Sequence, residues 1–209
     1  PCVSLVVSGG HTSLYLSKSE IDHDVLGTTV DDAAGEAFDK VAKILDLGFP
    51  GGPIIDALSR GRDPGKASFK RSIPDTLDFS FSGLKTAVLY RVRGQNAKKA
   101  MTLSEDERRD VACGFQEAVV DVLVEQTLKA CLRTRTFRVA VGGGVACNTR
   151  LREKMQARMA KEGIELFFPP ARLCTDNAAM IAGIAFPLYQ AGRISDLHLD
   201  AVATKAHRP

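Results

Sequence analysis

No stretch of the sequence approaches the roughly 18 consecutive apolar residues that a membrane span needs, and no charged-then-apolar leader opens it. The five cysteines, Cys2, Cys113, Cys131, Cys147 and Cys174, include no C-x-x-C pair, so no zinc or redox motif is written here. They read as reduced thiols, mostly of the core. The four histidines, His11, His23, His198 and His207, make neither an H-x-x-x-H nor an H-E-x-x-H pattern, which leaves a zincin-type peptidase without its ligands. No G-x-x-x-x-G-K-S/T string occurs, which excludes a Walker P-loop. Internal repeats and low-complexity tracts are absent as well. Charge is nearly balanced, 28 Lys and Arg against 25 Asp and Glu for a net +3. Nucleic acid is therefore a permitted partner rather than a required one.

Against these absences stands a chain of 209 residues with 44% hydrophobic content, enough for one large domain or a lobe with an inserted subdomain. It reads as a soluble cytoplasmic protein with no membrane partner. Pro1 is not a methionine and strand-like sequence begins within two residues of it, which reads as a chain that continues upstream.

Apolar, β-rich Cys2 to Val7, the turn Ser8 to Gly10 and Thr12 to Leu16 predict a hairpin, with a third strand over Asp24 to Val30. The period then changes. Ala33, Ala37, Phe38, Val41, Ala42 and Leu45 follow helical spacing after Asp31 and Asp32, and the helix should end near Gly48. Phe49 to Pro53 reads as a rigid turn before a short helix, Ile54 to Ser59, and Arg60 to Asp78 as loop. Ser104 and Glu107 form an S-x-x-E capping box for the longest helix, which runs to about Leu132. Phe137 to Val141 (strand), Gly142 to Gly144 (turn), Asn148 to Lys161 (helix) and Ile164 to Phe168 (strand) make a β-loop-α-β unit. Thr175, Asp176 and Asn177 offer N-caps for a last apolar helix, Ala178 to Gln190, closed by Gly192.

Two glycine clusters could approach an anion through backbone N–H groups: Ser8 to Gly10 in the hairpin, and Gly142 to Gly144 between strand and helix. Each could equally be a close-packed turn. A dinucleotide fingerprint fails, because Cys147 stands where the third glycine belongs and Glu165 lies inside the following strand. Two glycine turns far apart in sequence suit a nucleotide clamped between lobes. Asp39 shares a helical face with Asp32 and Glu36, which is ordinarily a solvated acidic stripe. Asp56 follows the Gly-Gly turn and could accept hydrogen bonds from ribose hydroxyls or be an exposed loop acid. Asp176 reads as a cap, or as a metal ligand if histidines converge on it. Basic clusters at Lys66 to Arg71, Arg91 to Arg93, Lys98-Lys99, Arg133 to Arg138 and Arg150 to Lys161 read as solvated faces that leave room for a phosphate backbone.

Six strings in order resemble the successive signatures of the TsaD/Kae/Qri family, once named O-sialoglycoprotein endopeptidase. They are Val6-Val-Ser-Gly-Gly-His-Thr12, Asp31-Asp-Ala-Ala-Gly-Glu-Ala-Phe-Asp-Lys40, Phe49-Pro-Gly-Gly-Pro53, Asp78-Phe-Ser-Phe-Ser-Gly-Leu-Lys-Thr86, Gly142-Gly-Gly-Val-Ala-Cys-Asn148 and Cys174-Thr-Asp-Asn-Ala-Ala-Met180. The resemblance implies an α/β fold: an actin/Hsp70-like, ribonuclease H-like lobe (the ASKHA class) with an inserted helical subdomain. Its core would be roughly 1–30 and 105–209, its insertion roughly 31–104, and its N-terminal lobe lies outside this sequence.

The activity implied is transfer of threonylcarbamoyl from threonylcarbamoyl-AMP to N6 of the adenosine 3′ of the anticodon in tRNA. Partners would be tRNA and accessory subunits, TsaB and TsaE in bacteria; an adenine nucleotide and one divalent metal, Fe2+ or Zn2+, would be bound. By the same resemblance Val6, Val7, Ser8, Gly9 and Gly10 face the adenylate, Asp39, Gly52 and Asp56 contact ribose and nucleotide, Asn148 holds the nucleoside, and Asp176 ligates the metal. The family's two histidine ligands belong to an H-x-x-x-H motif that precedes the first string and is absent here, so this chain alone is expected to be inactive and to bind metal poorly. The stretch from Ala203 to Pro209 also lacks the aromatic, arginine-rich ending expected of the family. The competing readings are a metallopeptidase and a non-catalytic binding paralogue.

Overall fold

The computed structural model describes residues 1–95 and 103–200; the Lys98-Lys99 pair, His207 and the stretch from Ala203 lie outside them. Strands β1 (Cys2–Val7), β2 (Thr12–Ser17) and β3 (His23–Thr28) form an antiparallel meander. Strands β4 (Arg138–Gly142) and β5 (Glu165–Phe167) extend it parallel to β1, giving the order β3-β2-β1-β4-β5. Alternation along β1 sorts its side chains: Val3, Leu5 and Val7 are fully buried, whereas Cys2, Ser4 and Val6 point to the opposite face. The register carries that opposite face across the sheet through Val25 and Phe167, both about half exposed. Among the described residues, helices therefore cover one side of the sheet only.

The hairpin, the capping box and the β4-helix-β5 unit appear where the sequence predicts them. Strand β3 stops two residues early, because Asp78 takes the Thr28 N–H at 3.0 Å and Thr29 bridges to Phe79. Helix α1 spans Ala34–Ile44, and α2 spans Gly51–Ser59, three residues longer at its start than expected. Asp39 accepts the Gly51 N–H at 2.7 Å, and Pro53 needs no partner in a first turn, so the Gly-Gly pair is helical rather than a separate turn. Helix α3, Ser82–Arg93, was not anticipated. Its start has no local cap: the Asp31 carboxylate, some fifty residues upstream, accepts from Ser80 and Ser82 hydroxyls and from the Phe81 and Ser82 amides.

Helix α4 (Glu105–Thr134) is the spine of the molecule. Ser104 Oγ accepts from the Glu107 N–H at 3.2 Å and Glu107 Oε2 accepts from the Ser104 N–H at 2.9 Å, closing the predicted box. Arg135 in the left-handed region ends the helix. Its middle, Val111 to Leu128, is buried on nearly every side, because the sheet, α1 to α3 and α5 (Thr149–Lys161) all pack around it. Phe115 meets Phe38 of α1 edge-on, ring centres 5.3 Å apart. The last helix, α6 (Ala178–Gln190), is different: none of its residues is buried, and Ile181, Phe186 and Tyr189 are each about two-thirds exposed.

Candidate functional site

Both glycine clusters lie at the carboxyl end of the parallel strands β1 and β4, where α/β sheets place ligands. They touch there through backbone. A Cβ on Gly143, which has φ +96, would sit 2.3 Å from the Val7 carbonyl oxygen, so only glycine can lay the second loop across the end of β1. Gly35, in the first turn of α1, is equally tight: its N–H donates to the Ser8 carbonyl at 3.1 Å, and a Cβ would meet Gly9 at 2.8 Å. The Ala34 N–H is met by Thr12 Oγ1 at 2.9 Å. The hairpin turn, the glycine loop and the N-terminus of α1 are thus one unit.

The free sides of Gly9, Gly10, Gly52 and Gly142 face open space, so their backbone is approachable. One detail departs from an open nest. Ser8 Oγ accepts from the Gly10 and His11 amides at 3.3 and 3.0 Å, folding the turn onto itself. Val6 stands on the exposed sheet face and Val7 is buried, so neither valine side chain enters the cleft with the glycines.

The acidic stripe dissolves into three separate jobs. Asp32 precedes α1 and is clasped by Lys40 at 2.6 Å and Lys85 at 2.8 Å; burial opposes its ionisation, but these two ammonium groups hold its carboxyl below the usual range. Glu36 pairs with Lys40, and Asp39 anchors the first turn of α2 beside Gly52. Asp56 is neither a loop residue nor exposed. It lies inside α2 and accepts from the Thr149 N–H at 3.2 Å and Thr149 Oγ1 at 2.9 Å, tying α2 to the start of α5. Asn148 caps α5 by accepting from the Leu151 N–H at 2.9 Å, and its amide donates to Gln116 Oε1 at 2.8 Å. Gln116 was missed in the sequence; the signal was a Gln-Glu pair inside the apolar run of α4.

Between α2, α4 and α5 lies a cavity of about 350 Å³ lined by Asp56, Arg60, Cys113, Gln116, Glu117 and Thr149, among others. Glu117 closes it. Arg150 grips this carboxylate with two hydrogen bonds, 2.7 and 2.9 Å, and Lys154 adds a third contact at 2.5 Å. The Arg150 bonds chiefly, against the opposing effect of burial, pull the Glu117 carboxyl down to about 2. Much of the basic surface is likewise spent internally: Arg71 pairs with Asp121, and Arg158 with Glu125 and Glu162.

Asn177, not Asp176, caps α6, accepting from the Met180 N–H at 3.1 Å, and Asp176 is exposed. Among the described residues no three His, Cys, Asp or Glu side chains gather as metal donors. The donor set present does not fit a metal by itself. Two cysteines lie in neighbouring turns. The Cys147 thiol donates to Ala171 O at 3.5 Å, the carbonyl that also accepts from the Cys174 N–H at 3.1 Å, and burial first, then the Cys174 thiol, push the Cys147 thiol up.

Residues 1–183 match the family described as TsaD: tRNA N6-adenosine threonylcarbamoyltransferase. The chain belongs to the TsaD family. A curated tRNA N6-adenosine threonylcarbamoyltransferase of Clostridium botulinum (strain 657 / Type Ba4) is 50% identical over 204 residues, covering 97% of this chain and 59% of the relative. One from Thermosipho africanus (strain TCF52B) is 48% identical, with 60% of its length covered. The chain thus spans about three-fifths of the curated TsaD relatives it matches. Full-length HypF, solved in a phosphate- and nucleotide-bound form, superposes with TM-score 0.67 at 11% identity, covering 90% of this chain and 33% of that one. HypF of T. kodakarensis superposes at 0.58 with 16% identity, covering 84% of this chain and 21% of that one. The fold is the actin/Hsp70-like one expected.

Proposed function

We propose that the protein carrying this chain transfers threonylcarbamoyl from threonylcarbamoyl-AMP to N6 of the adenosine 3′ of the anticodon in tRNA. Membership of the TsaD family carries this reading, and the glycine cradle at the ends of β1 and β4 is consistent with it. In the reaction the N6 amine attacks the carbamoyl carbonyl, the bond to the adenylate phosphate breaks, AMP leaves, and the amine gives up a proton. Within the Ser8–Gly10 turn, Gly9, with the Gly142–Gly144 loop, would offer backbone N–H groups to the phosphate and acyl portion, where charge develops on the leaving oxygen. The Ser8 and Gly10 N–H groups, donating to His11 O and Ser8 Oγ, hold the turn in shape. Asp39 and Gly52 stand at the start of α2 for the ribose. Asp56 and Asn148, each engaged with protein partners, would act by holding the α2–α5 junction as well as by touching the nucleoside.

Asp176 is the one ligand this chain would contribute to an Fe2+ or Zn2+ ion; the other donors would come from the additional length present in TsaD relatives. The helical segment 31–104 would act as an inserted subdomain beside the sheet, and accessory subunits, with a cytoplasmic setting, belong to the same proposal. The test is formation of threonylcarbamoyladenosine on tRNA by the full-length protein. Wild type should form it and Asp176→Ala should not; a wild-type protein that leaves tRNA unmodified overturns the assignment.

A further inference from the structure

Asn148, Thr149 and Arg150 stand consecutively where α5 begins, and each is held by a side chain from another helix. Asp56 of α2 takes Thr149, Glu117 of α4 takes Arg150, and Gln116, the residue before Glu117, takes Asn148. The first two contacts fix the helix. The third fixes the side chain that the proposed function sets against the nucleoside. Asn148 Oδ1 accepts from the Leu151 N–H at 2.9 Å, so the oxygen of this amide is turned into the first turn of α5. Its nitrogen must then lie on the other side, and one Nδ2 hydrogen goes to Gln116 Oε1 at 2.8 Å. Turning either amide over would set donor against donor: Asn148 Nδ2 against the Leu151 N–H, or Gln116 Nε2 against Asn148 Nδ2. Gln116 can hold its end because it is 4% exposed and rises from the packed middle of α4, between Phe115, edge-on to Phe38, and Glu117, gripped by Arg150. The second Nδ2 hydrogen of Asn148 has no partner among the described residues.

We propose that Gln116 is a positioning residue, holding the Asn148 amide so that its remaining Nδ2 hydrogen is donated to an oxygen or ring nitrogen of the nucleoside. This rests on the reading of Asn148 as a nucleoside contact. Loss of Gln116 leaves the cap of α5 in place, since the Leu151 bond remains, but frees the amide plane to turn about its terminal torsion. The cost falls on binding, because the donor is no longer aimed before the ligand arrives. Gln116 Nε2 has no partner among the described residues, and the side chain lines the cavity between α2, α4 and α5. A contact of its own with the ligand would make its loss independent of Asn148, which a double variant separates from positioning.

The experiment uses the full-length protein and a fluorescent adenine nucleotide. Gln116→Met keeps the side-chain length and removes its polar atoms; Asn148→Ser keeps an oxygen for the helix cap and removes the amide. Each should weaken binding about tenfold, and the double variant should bind within about twofold of Asn148→Ser alone. In the transfer assay Gln116→Met should raise KM for threonylcarbamoyl-AMP about tenfold and leave kcat within about twofold. A merely structural defect lowers the active fraction, and so kcat, without moving KM. Wild-type affinity in Gln116→Met, losses that multiply in the double variant, or a fall in kcat at unchanged KM each overturn the proposal. Gln116→Leu is judged by the same measures if the Met variant does not fold. A wild-type protein that binds no adenine nucleotide overturns the reading of Asn148 itself, and the proposal with it.

Discussion

Glu117 concentrates more electrostatic work than any other side chain described. Its carboxyl is held at about 2 against an ordinary 4.5, so the stability it contributes is complete above pH 4.5 and is lost as pH falls from there towards 2. Unfolding free energies of wild type and Glu117→Gln from urea denaturation should differ by about 2–3 kcal/mol at pH 7 and converge only as the pH approaches about 2; a difference that persists there would show that shape rather than charge matters. Gly143 gives a second residue-level expectation. Gly143→Ala combines a positive φ with a Cβ on the Val7 carbonyl and should cost about 2–4 kcal/mol, read from the denaturation midpoint.

At the scale of elements, α4, α5 and α6 carry their own N-caps, Ser104, Asn148 and Asn177, whereas the starts of α2 and α3 depend on distant groups. Asp31 holds the first turn of α3 with four hydrogen bonds, and although burial works against its ionisation, the Ser80 and Ser82 hydroxyls and two amides keep its carboxyl below the usual range. Asp31→Ala should remove about 1–2 kcal/mol and raise amide hydrogen exchange first in Ser82–Arg93, leaving α4 protected. Uniform loss of protection would mean that α3 is not a separable unit. Asp39 does the same for α2, and Asp56 adds to the Asn148 cap of α5 by holding Thr149. Two of the carboxylates singled out for nucleotide contact are thus also structural, which a count of acidic residues cannot reveal.

At the scale of the molecule, helices cover one sheet face, the other carries Val6, Val25 and Phe167 to solvent, and α6 stands with its apolar side chains exposed. No helix among the described residues is long and apolar enough to cross a membrane. Asp176 belongs to no group of three metal donors among the described residues, so calorimetric titration of this chain with Zn2+ should give no tight stoichiometric heat, and Asp176→Ala should change nothing in it. A one-to-one tight isotherm abolished by that substitution would show a metal site within the chain.

The sequence by itself determined the family, the strand-glycine-strand opening, the capped long helix and the β-α-β unit, because each rests on neighbours within a few residues: alternation, helical period, a capping box, a glycine turn. Only tertiary structure decided the rest. The start of α3 comes from Asp31, the burial of Asp56 from Thr149, the fixing of Asn148 from Gln116, and the meeting of Cys147 with the Ala171 carbonyl from the packing of two short turns. These are contacts between residues some 25 to 95 positions apart, formed where the chain folds back on itself, and local periodicity carries no record of them.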